Sequence, residues 1–341
     1  MTRTPVRKLV VTGGAGFIGS HLVDSLLLGM PNATVSVIDN FSSGREDHIV
    51  MHNTDSRFRL LRANLLDLEA ISDEFVNADI VYHLAANPDA RWGIENTRLD
   101  LEQETLVTYN VLEAMRRTTC RKIVLASSGT VYGDVGTSAV NERSGPTLPI
   151  SLYGAGKVAS EALVSAFCGT FGFSGLIFRF GNVVGERTTH GVIFDFIRKL
   201  GVNIDTLEVL GNGKQTKPYL YVRDLVSILT GAQQLGTFEA MGRCDLFNVA
   251  PADASSVRFI AETLVEALGL TDVTNIKFGL EPMGWPGDVP QSRMDPSKLE
   301  SAMGVRLRKS DEAVQIAIRS IIDWIATRKD KNDGLAWAAP R

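Results

Sequence analysis

The chain reads as an α/β protein: a Rossmann-type doubly wound parallel sheet with a smaller, discontinuous C-terminal lobe. Three observations predict this. A strand-like run opens straight into glycines three apart, a second run ends in an acidic residue about twenty positions further on, and strand-like and helix-like segments alternate up to about residue 180.

The first run is Lys8-Leu9-Val10-Val11-Thr12-Gly13-Gly14-Ala15-Gly16-Phe17-Ile18-Gly19. Gly13 allows a tight turn off the strand and Gly16 lets backbone approach a diphosphate. Gly19 permits close packing of a helix beginning near Phe17, whose N-terminus faces the anion. The second run, Thr34-Val35-Ser36-Val37-Ile38, ends in Asp39, placed to accept both hydroxyls of an adenosine ribose. Together these imply a bound dinucleotide. Asp39 would repel a 2′-phosphate, which favours NAD over NADP.

Further strands are expected at Arg57-Phe58-Arg59-Leu60-Leu61, Ile80-Val81-Tyr82-His83, Ile123-Val124-Leu125-Ala126 and Leu176-Ile177-Phe178-Arg179, with amphipathic stretches between them. Leu101, Thr105, Thr108, Leu112 and Met115 recur at helical spacing and predict one packed stripe. Beyond Phe180 glycine and proline punctuate 181–218 and 250–296, while Tyr219-Leu220-Tyr221-Val222 looks like a strand. The expected layout is an NAD-binding domain over 1–180 with returning segments at about 219–250, and a substrate lobe over 181–218 and 251–330. Ile321, Ile322, Trp324 and Ile325 read as the apolar face of a last helix, and a tail at 331–341 is expected to fray.

Composition narrows the function classes. The 341 residues carry 35 basic and 39 acidic side chains, intermixed, so no basic face for nucleic acid is expected. Cys120, Cys168 and Cys244 stand in no metal or redox spacing and read as buried thiols of a reducing compartment. Neither a secretion signal in Met1 to Lys8 nor an apolar run of eighteen is present, so a cytoplasmic protein with no membrane partner and no metal is expected. His21, His83 and His190 are isolated and read as satisfied histidines. Arg91 and Arg187 read as solvated loop charges, with contact to a phosphate or a substrate carboxylate as the alternative.

A second constellation carries chemistry. Tyr153 and Lys157 share a helix face at i,i+4, on a helix expected to run through Phe171. An ammonium beside a phenol favours the phenolate and readies it as a proton acceptor. Upstream, Ser127, Ser128 and Thr130 follow a strand, at the carboxyl edge where open α/β sheets bind ligands.

Taken in order, Thr12 to Gly19, His83-Leu84-Ala85-Ala86, Ser127-Ser128, Val131-Tyr132-Gly133 and Tyr153 with Lys157 resemble the extended short-chain dehydrogenases/reductases, in particular the nucleotide-sugar epimerase/dehydratase group. The resemblance runs from about Lys8 to beyond Asp288. It implies bound NAD, a lobe gripping a nucleotide diphosphate sugar, foremost a UDP-sugar, and a homodimer formed through the Leu101–Met115 and Tyr153–Phe171 helices. It makes Tyr153 the acid/base, Lys157 its tuner and a ribose ligand, Ser128 the partner of the reacting hydroxyl and Thr130 a helper. The implied cofactor contacts are Gly13, Gly16, Phe17, Ile18, Gly19, Asp39, Asn40, Ser43, Gly44, Asn64, Leu65, Leu84, Ala85, Ala86, Thr108, Ser127 and Phe180, with Tyr153 and Lys157. The implied substrate contacts are Ser128, Gly129, Thr130, Tyr153, Asn182, Val192, Ile193, Glu208, Val209, Lys217, Asp288 and Ser292.

The chain departs from the family pattern at several points. Lys217 and Trp285 replace arginines, Gly156 a serine, Glu104 an asparagine and Asn64 an aspartate; the Trp285-Pro286-Gly287-Asp288 stretch is similar to one found in a prokaryotic epimerase subgroup. Gly129-Thr130 stands where members that eliminate water or decarboxylate carry an acidic residue. The resemblance therefore favours C4 epimerisation through a 4-keto sugar. Dehydration, decarboxylation or epimerisation at another carbon is the alternative enzyme reading, and a non-catalytic NAD-binding protein the alternative class. Ser292, counted on from Asp288, is expected to leave room beside the sugar's C2 substituent.

Overall fold

A computed structural model describes residues 8–327. Seven strands form one parallel sheet: β1 (Lys8–Thr12), β2 (Thr34–Asp39), β3 (Phe58–Arg62), β4 (Ile80–His83), β5 (Lys122–Ser128), β6 (Ser174–Phe180) and β7 (Cys244–Val249), in the order β7-β6-β5-β4-β1-β2-β3. The aliphatic runs of the central strands are explained by burial on both faces, and β6 is buried at every position, whereas the edge strand β3 has no fully buried residue and β7 is buried only from Phe247 to Val249. Successive residues serve opposite faces. Val11 joins the core with Leu22, Val35 and Ile318, whereas Val10 joins the core with Ile38, Leu112 and Ile177.

Strand order reverses between β1 and β4, so their connections leave on opposite faces and a crevice opens beyond their carboxyl ends. Helices α1 (Phe17–Gly29), α2 (Val107–Arg116) and α3 (Leu152–Phe171) pack on the sheet. Ser151 starts α3 by accepting from the Gly154 N–H at 3.1 Å, and Gly172, at φ 70°, ends it in the left-handed conformation. After β6 the chain builds α4 (Val192–Val202), α5 (Val222–Gly231), α6 (Val257–Ala267) and α7 (Ser310–Thr327). Short strand pairs accompany them: Asn182–Val184 with Tyr219–Tyr221, Thr206–Val209 with Asn275–Phe278, and Arg293–Met294 with Ala139–Val140. Among the described residues no helix is long and apolar enough to cross a membrane. The expected tail, 331–341, lies outside the described residues.

The stripe expected from Leu101 to Met115 is corrected at its start. Leu101–Leu106 is π-helical before α2 begins. Its i→i+5 turn inserts an extra residue and rotates everything on one side by about 100° relative to a regular helix. Leu112 and Met115 are buried as the spacing demands, but Leu101 is 52% exposed and Glu104 is 1% exposed in its place.

Candidate active site

A cleft of about 480 Å³ runs along the carboxyl edge of the sheet. At one end lies the glycine turn. Gly13 has φ 71°, and a Cβ there would stand 2.7 Å from the Ala85 backbone nitrogen. A Cβ on Gly19 would stand 2.1 Å from the Gly13 carbonyl oxygen. Backbone therefore meets backbone on both sides of the turn. Gly16 caps α1 without a side-chain hydrogen bond, so amides of its first turn remain available to an anion. Gly14, unassigned from sequence, leaves room for Val37, whose methyls would lie 2.7 Å from a Cβ.

Asp39 ends β2 and accepts from the Ala15 N–H at 2.9 Å and the Phe41 N–H at 2.8 Å. Burial pushes its carboxyl above the usual aspartate range, against these two bonds and Arg62. Phe17, Ile18, Asn40, Ser43, Gly44, Asn64, Leu65, Leu84, Ala85, Ala86 and Phe180 also line this part of the cleft. A turn that excludes any Cβ, uncapped helix amides and a carboxylate at the neighbouring strand end together fit a dinucleotide.

Ser128 ends β5, and its Oγ accepts from the Thr130 hydroxyl at 3.0 Å and the Thr130 N–H at 3.2 Å. Tyr153 sits in the first turn of α3, half-buried on the cleft wall. Lys157 places Nζ 5.5 Å from the tyrosine ring centre and donates to the Ala126 carbonyl at 3.1 Å. Glu104 lies 2.7 Å from the same nitrogen. The expectation that lysine brings the phenol down is corrected by burial first and by this neighbour second. Burial raises Tyr153, and Glu104 and Asp100 raise it further; Lys157 and the Ser128 hydrogen bond pull the other way without prevailing.

Thr108 and Ser127, implied as cofactor contacts, spend their hydroxyls inside the protein. Ser127 donates to Glu161 at 2.5 Å, which is itself bridged to Arg179 at 2.6 Å. Thr108 is fully enclosed and donates to the Glu104 carbonyl at 2.5 Å. It also closes a chain in which His83 Nε2 lies 3.0 Å from Thr108 Oγ1 and His83 Nδ1 lies 2.7 Å from Thr12 Oγ1. Burial, with Lys157 nearby, brings His83 down to about 3, so it is a neutral, doubly bonded core histidine.

On the opposite wall stand Asn182, Val192, Ile193, Val209, Lys217 and Asp288. Lys217 and Asp288 form an ion pair, and Asp288 also accepts from the Gly284 N–H at 3.1 Å. Three implied contacts lie off the wall. Gly129 faces Met294, whose sulfur would meet a Cβ at 2.7 Å; Glu208 is exposed; and Ser292 donates its N–H to the Thr216 carbonyl at 3.0 Å, between the bridge of Gln291 to Thr216 and the pairing of Arg293–Met294 with Ala139–Val140. Trp285 and Gly284 reach the cleft instead.

Sequence reasoning missed Asn87, Gln215 and Tyr219 on the wall, which stand in no periodic pattern that marks them as site residues. Arg91 is no solvated charge: it lines the cleft between Asp89 and Asp195, at 2.5 and 2.9 Å. Arg187 turns away to Asp24 at 2.7 Å. His190 borders the cleft, and His21 bonds the Glu186 carbonyl at 3.0 Å. Cys120 and Cys168 are buried, Cys244 is half-buried, and all three are free. Among the described residues no cluster of histidine, cysteine or carboxylate side chains could hold a metal.

Residues 9–245 match the model of the NAD dependent epimerase/dehydratase family. The chain belongs to that family. Its cofactor is NAD, and the extended short-chain dehydrogenase/reductase resemblance holds. A Methanocaldococcus jannaschii member provisionally named UDP-glucose 4-epimerase is 37% identical over 225 residues, 64% of this chain and 70% of its own. The UDP-glucose 4-epimerase of Mycolicibacterium smegmatis is 29% identical over 87% of this chain and 92% of its own. A solved UDP-galactose 4-epimerase superposes with TM-score 0.80 at 38% identity, covering 92% of this chain and 98% of that one.

Proposed function

We propose that the protein interconverts nucleotide diphosphate sugars, foremost UDP-sugars, by epimerisation at C4, with Tyr153 as acid and base. One observation carries the choice among the family's reactions. Every carboxylate on the cleft wall is already engaged: Asp39 by two backbone N–H groups, Asp89 and Asp195 by Arg91, Asp288 by Lys217. Eliminating water or carbon dioxide needs a second acid or base beside the reacting carbons, and Gly129-Thr130 supplies none. One phenol suffices for exchange at a single carbon.

NAD, when bound, supplies the oxidising and reducing equivalent that is taken up and returned within one turnover. Ser128 and Thr130 orient the C4 hydroxyl, and Tyr153 takes its proton. Asn182 and Lys217 hold the remote parts of the nucleotide sugar while the 4-keto sugar turns over, and Tyr153 returns the proton on the opposite face. The relatives named UDP-glucose and UDP-galactose 4-epimerases support this reading. So does exposed apolar surface at Leu101, Leu106 and Tyr109 on one helix and Leu152 and Phe171 on another, which fits assembly as a homodimer. A cytoplasmic location and a substrate lobe built from 181–218 and 251–330 complete the proposal.

Incubation of the NAD-loaded protein with a panel of nucleotide sugars, followed by mass and proton NMR spectra, tests it. The expected product has unchanged mass and an inverted C4. A mass deficit of one water or one carbon dioxide overturns the assignment in favour of dehydration or decarboxylation.

A further inference from the structure

Two departures from the family pattern, Glu104 and Gly156, meet in space. A Cβ on Gly156 would lie 2.7 Å from Glu104 Cβ and 2.9 Å from Glu104 Cγ. The missing side chain lets the π-helical turn press against α3. The same turn swings Glu104 inward, where its carbonyl takes the Thr108 hydroxyl at 2.5 Å and the Ser160 hydroxyl at 2.9 Å. Its carboxylate then lies against Lys157, with both side chains almost fully enclosed. Glycine inside a helix costs about 1 kcal/mol relative to alanine. A π turn and an internal glycine are both locally unfavourable, and both serve one contact.

We propose that Glu104 is a positioning residue for the catalytic pair: its carboxylate clamps the Lys157 ammonium and cancels part of its charge, so that Tyr153 returns its proton as readily as it takes it. Epimerisation needs both halves of that exchange from one phenol. An unbalanced ammonium would favour the phenolate, a good base but a poor acid. The inference rests on Tyr153 being the acid/base of the reaction proposed above.

Several groups face Glu104. Lys157 and Tyr153 come from α3 and Asp100 from the preceding turn, while the Asn87 N–H donates to it at 3.1 Å; His83 from β4 and Glu161 from α3 act on Lys157. Burial is the largest influence and lifts the carboxyl to about 7; Asp100 adds to the rise, and Lys157 and the Asn87 N–H oppose it. Glu104 thus changes charge near neutrality, where the tyrosine works. It does not line the cleft.

The test reads the Tyr153 phenol directly, as the ultraviolet difference between the NAD-loaded protein and its Tyr153→Phe variant across pH, in the parent and Glu104→Gln backgrounds. Glu104→Gln keeps shape and the Asn87 acceptor. It is expected to move ionisation of Tyr153 to lower pH by on the order of one unit, the effect of removing a nearby like charge. The rising limb of kcat should move the same way, with KM changed less than about twofold because the cleft wall is intact. Gly156→Ala, which must push Glu104 off Lys157, should shift the phenol in the same direction. An unmoved or raised Tyr153 titration in folded Glu104→Gln protein overturns the inference, whether or not sugars turn over. A shifted titration without turnover leaves the inference standing and defeats the epimerase reading instead.

Discussion

Gly19→Ala is the sharpest perturbation the glycine turn offers. The new Cβ would lie 2.1 Å from the Gly13 carbonyl oxygen and 2.8 Å from Gly14 Cα, and neither is the far end of a flexible side chain. Separations below 3.0 Å do not persist, so α1 must lift from the turn or the turn must move by about an ångström. Overpacking of this kind costs about 1–3 kcal/mol, and the better helix propensity of alanine returns no more than about 1 kcal/mol. Net destabilisation is expected, read as a lower urea midpoint. Because the first-turn amides of α1 are the proposed seat of the diphosphate and would move with the helix, NAD affinity should fall at least tenfold, about 1.4 kcal/mol, in a calorimetric titration. Two neighbours calibrate the result. Gly29→Ala, at the end of α1 with nothing within 4 Å, should be neutral or gain a few tenths of a kcal/mol; Gly14→Ala, 2.7 Å from the Val37 methyls, should fall between. Gly19→Ala unfolding with the parent and binding NAD equally well would refute the close approach.

Tyr153→Phe should lower turnover about 10²–10⁴-fold with NAD affinity unchanged, because only the proton acceptor leaves; retained turnover would assign the proton to another group. Glu161→Gln leaves the enclosed Arg179 guanidinium without its countercharge and should cost about 3–5 kcal/mol in urea unfolding, with Glu161→Met/Arg179→Met recovering most of it. Glu104 sits at about 7 when folded against an ordinary 4.5. Its contribution to stability is therefore complete below about pH 4.5 and lost as pH rises through 7, by at most about 3 kcal/mol; Glu104→Gln should flatten that slope in urea titrations. Leu106→Asp with Tyr109→Asp should yield monomers by light scattering where the parent is a dimer; a monomeric parent defeats the assembly proposed.

The centre of the sheet was legible because its strands are buried on both faces, which leaves aliphatic runs such as Leu9-Val10-Val11 before the glycine turn and Val35 to Ile38 before Asp39. The strand Cys244–Val249 was not read as one: Cys244, Asp245 and Asn248 interrupt its apolar pattern, and its place is fixed by pairing with Ser174–Phe180. In the site, Tyr153, Lys157, Ser128 and the glycines stand at short fixed spacings that one chain segment dictates. Ser292 was placed by counting on from Asp288, and Glu208 by resemblance alone, in a lobe of short strand pairs where one change of pairing moves a residue relative to the wall. Glu104 was noticed as a departure, but its role depends on a π turn that no spacing rule anticipates. Burial did the rest, reversing the sign expected for the tyrosine.

The hydrogen-bonded file from Thr12 through His83 and Thr108 to the Glu104 carbonyl links the strand that ends in the glycine turn to the helix that backs Lys157. Thr108 has the Glu104 carbonyl and Ser160 Oγ, at 3.0 Å, as acceptors for its one proton; in the tautomer that carries its proton on Nε2, His83 donates to Thr108 and accepts from Thr12 at Nδ1. Burial holds the imidazole neutral at neutral pH, so it bridges Thr12 and Thr108 without carrying charge. The file is thus a strut and not a wire: it conducts no charge between the two halves of the cleft, yet it fixes their separation.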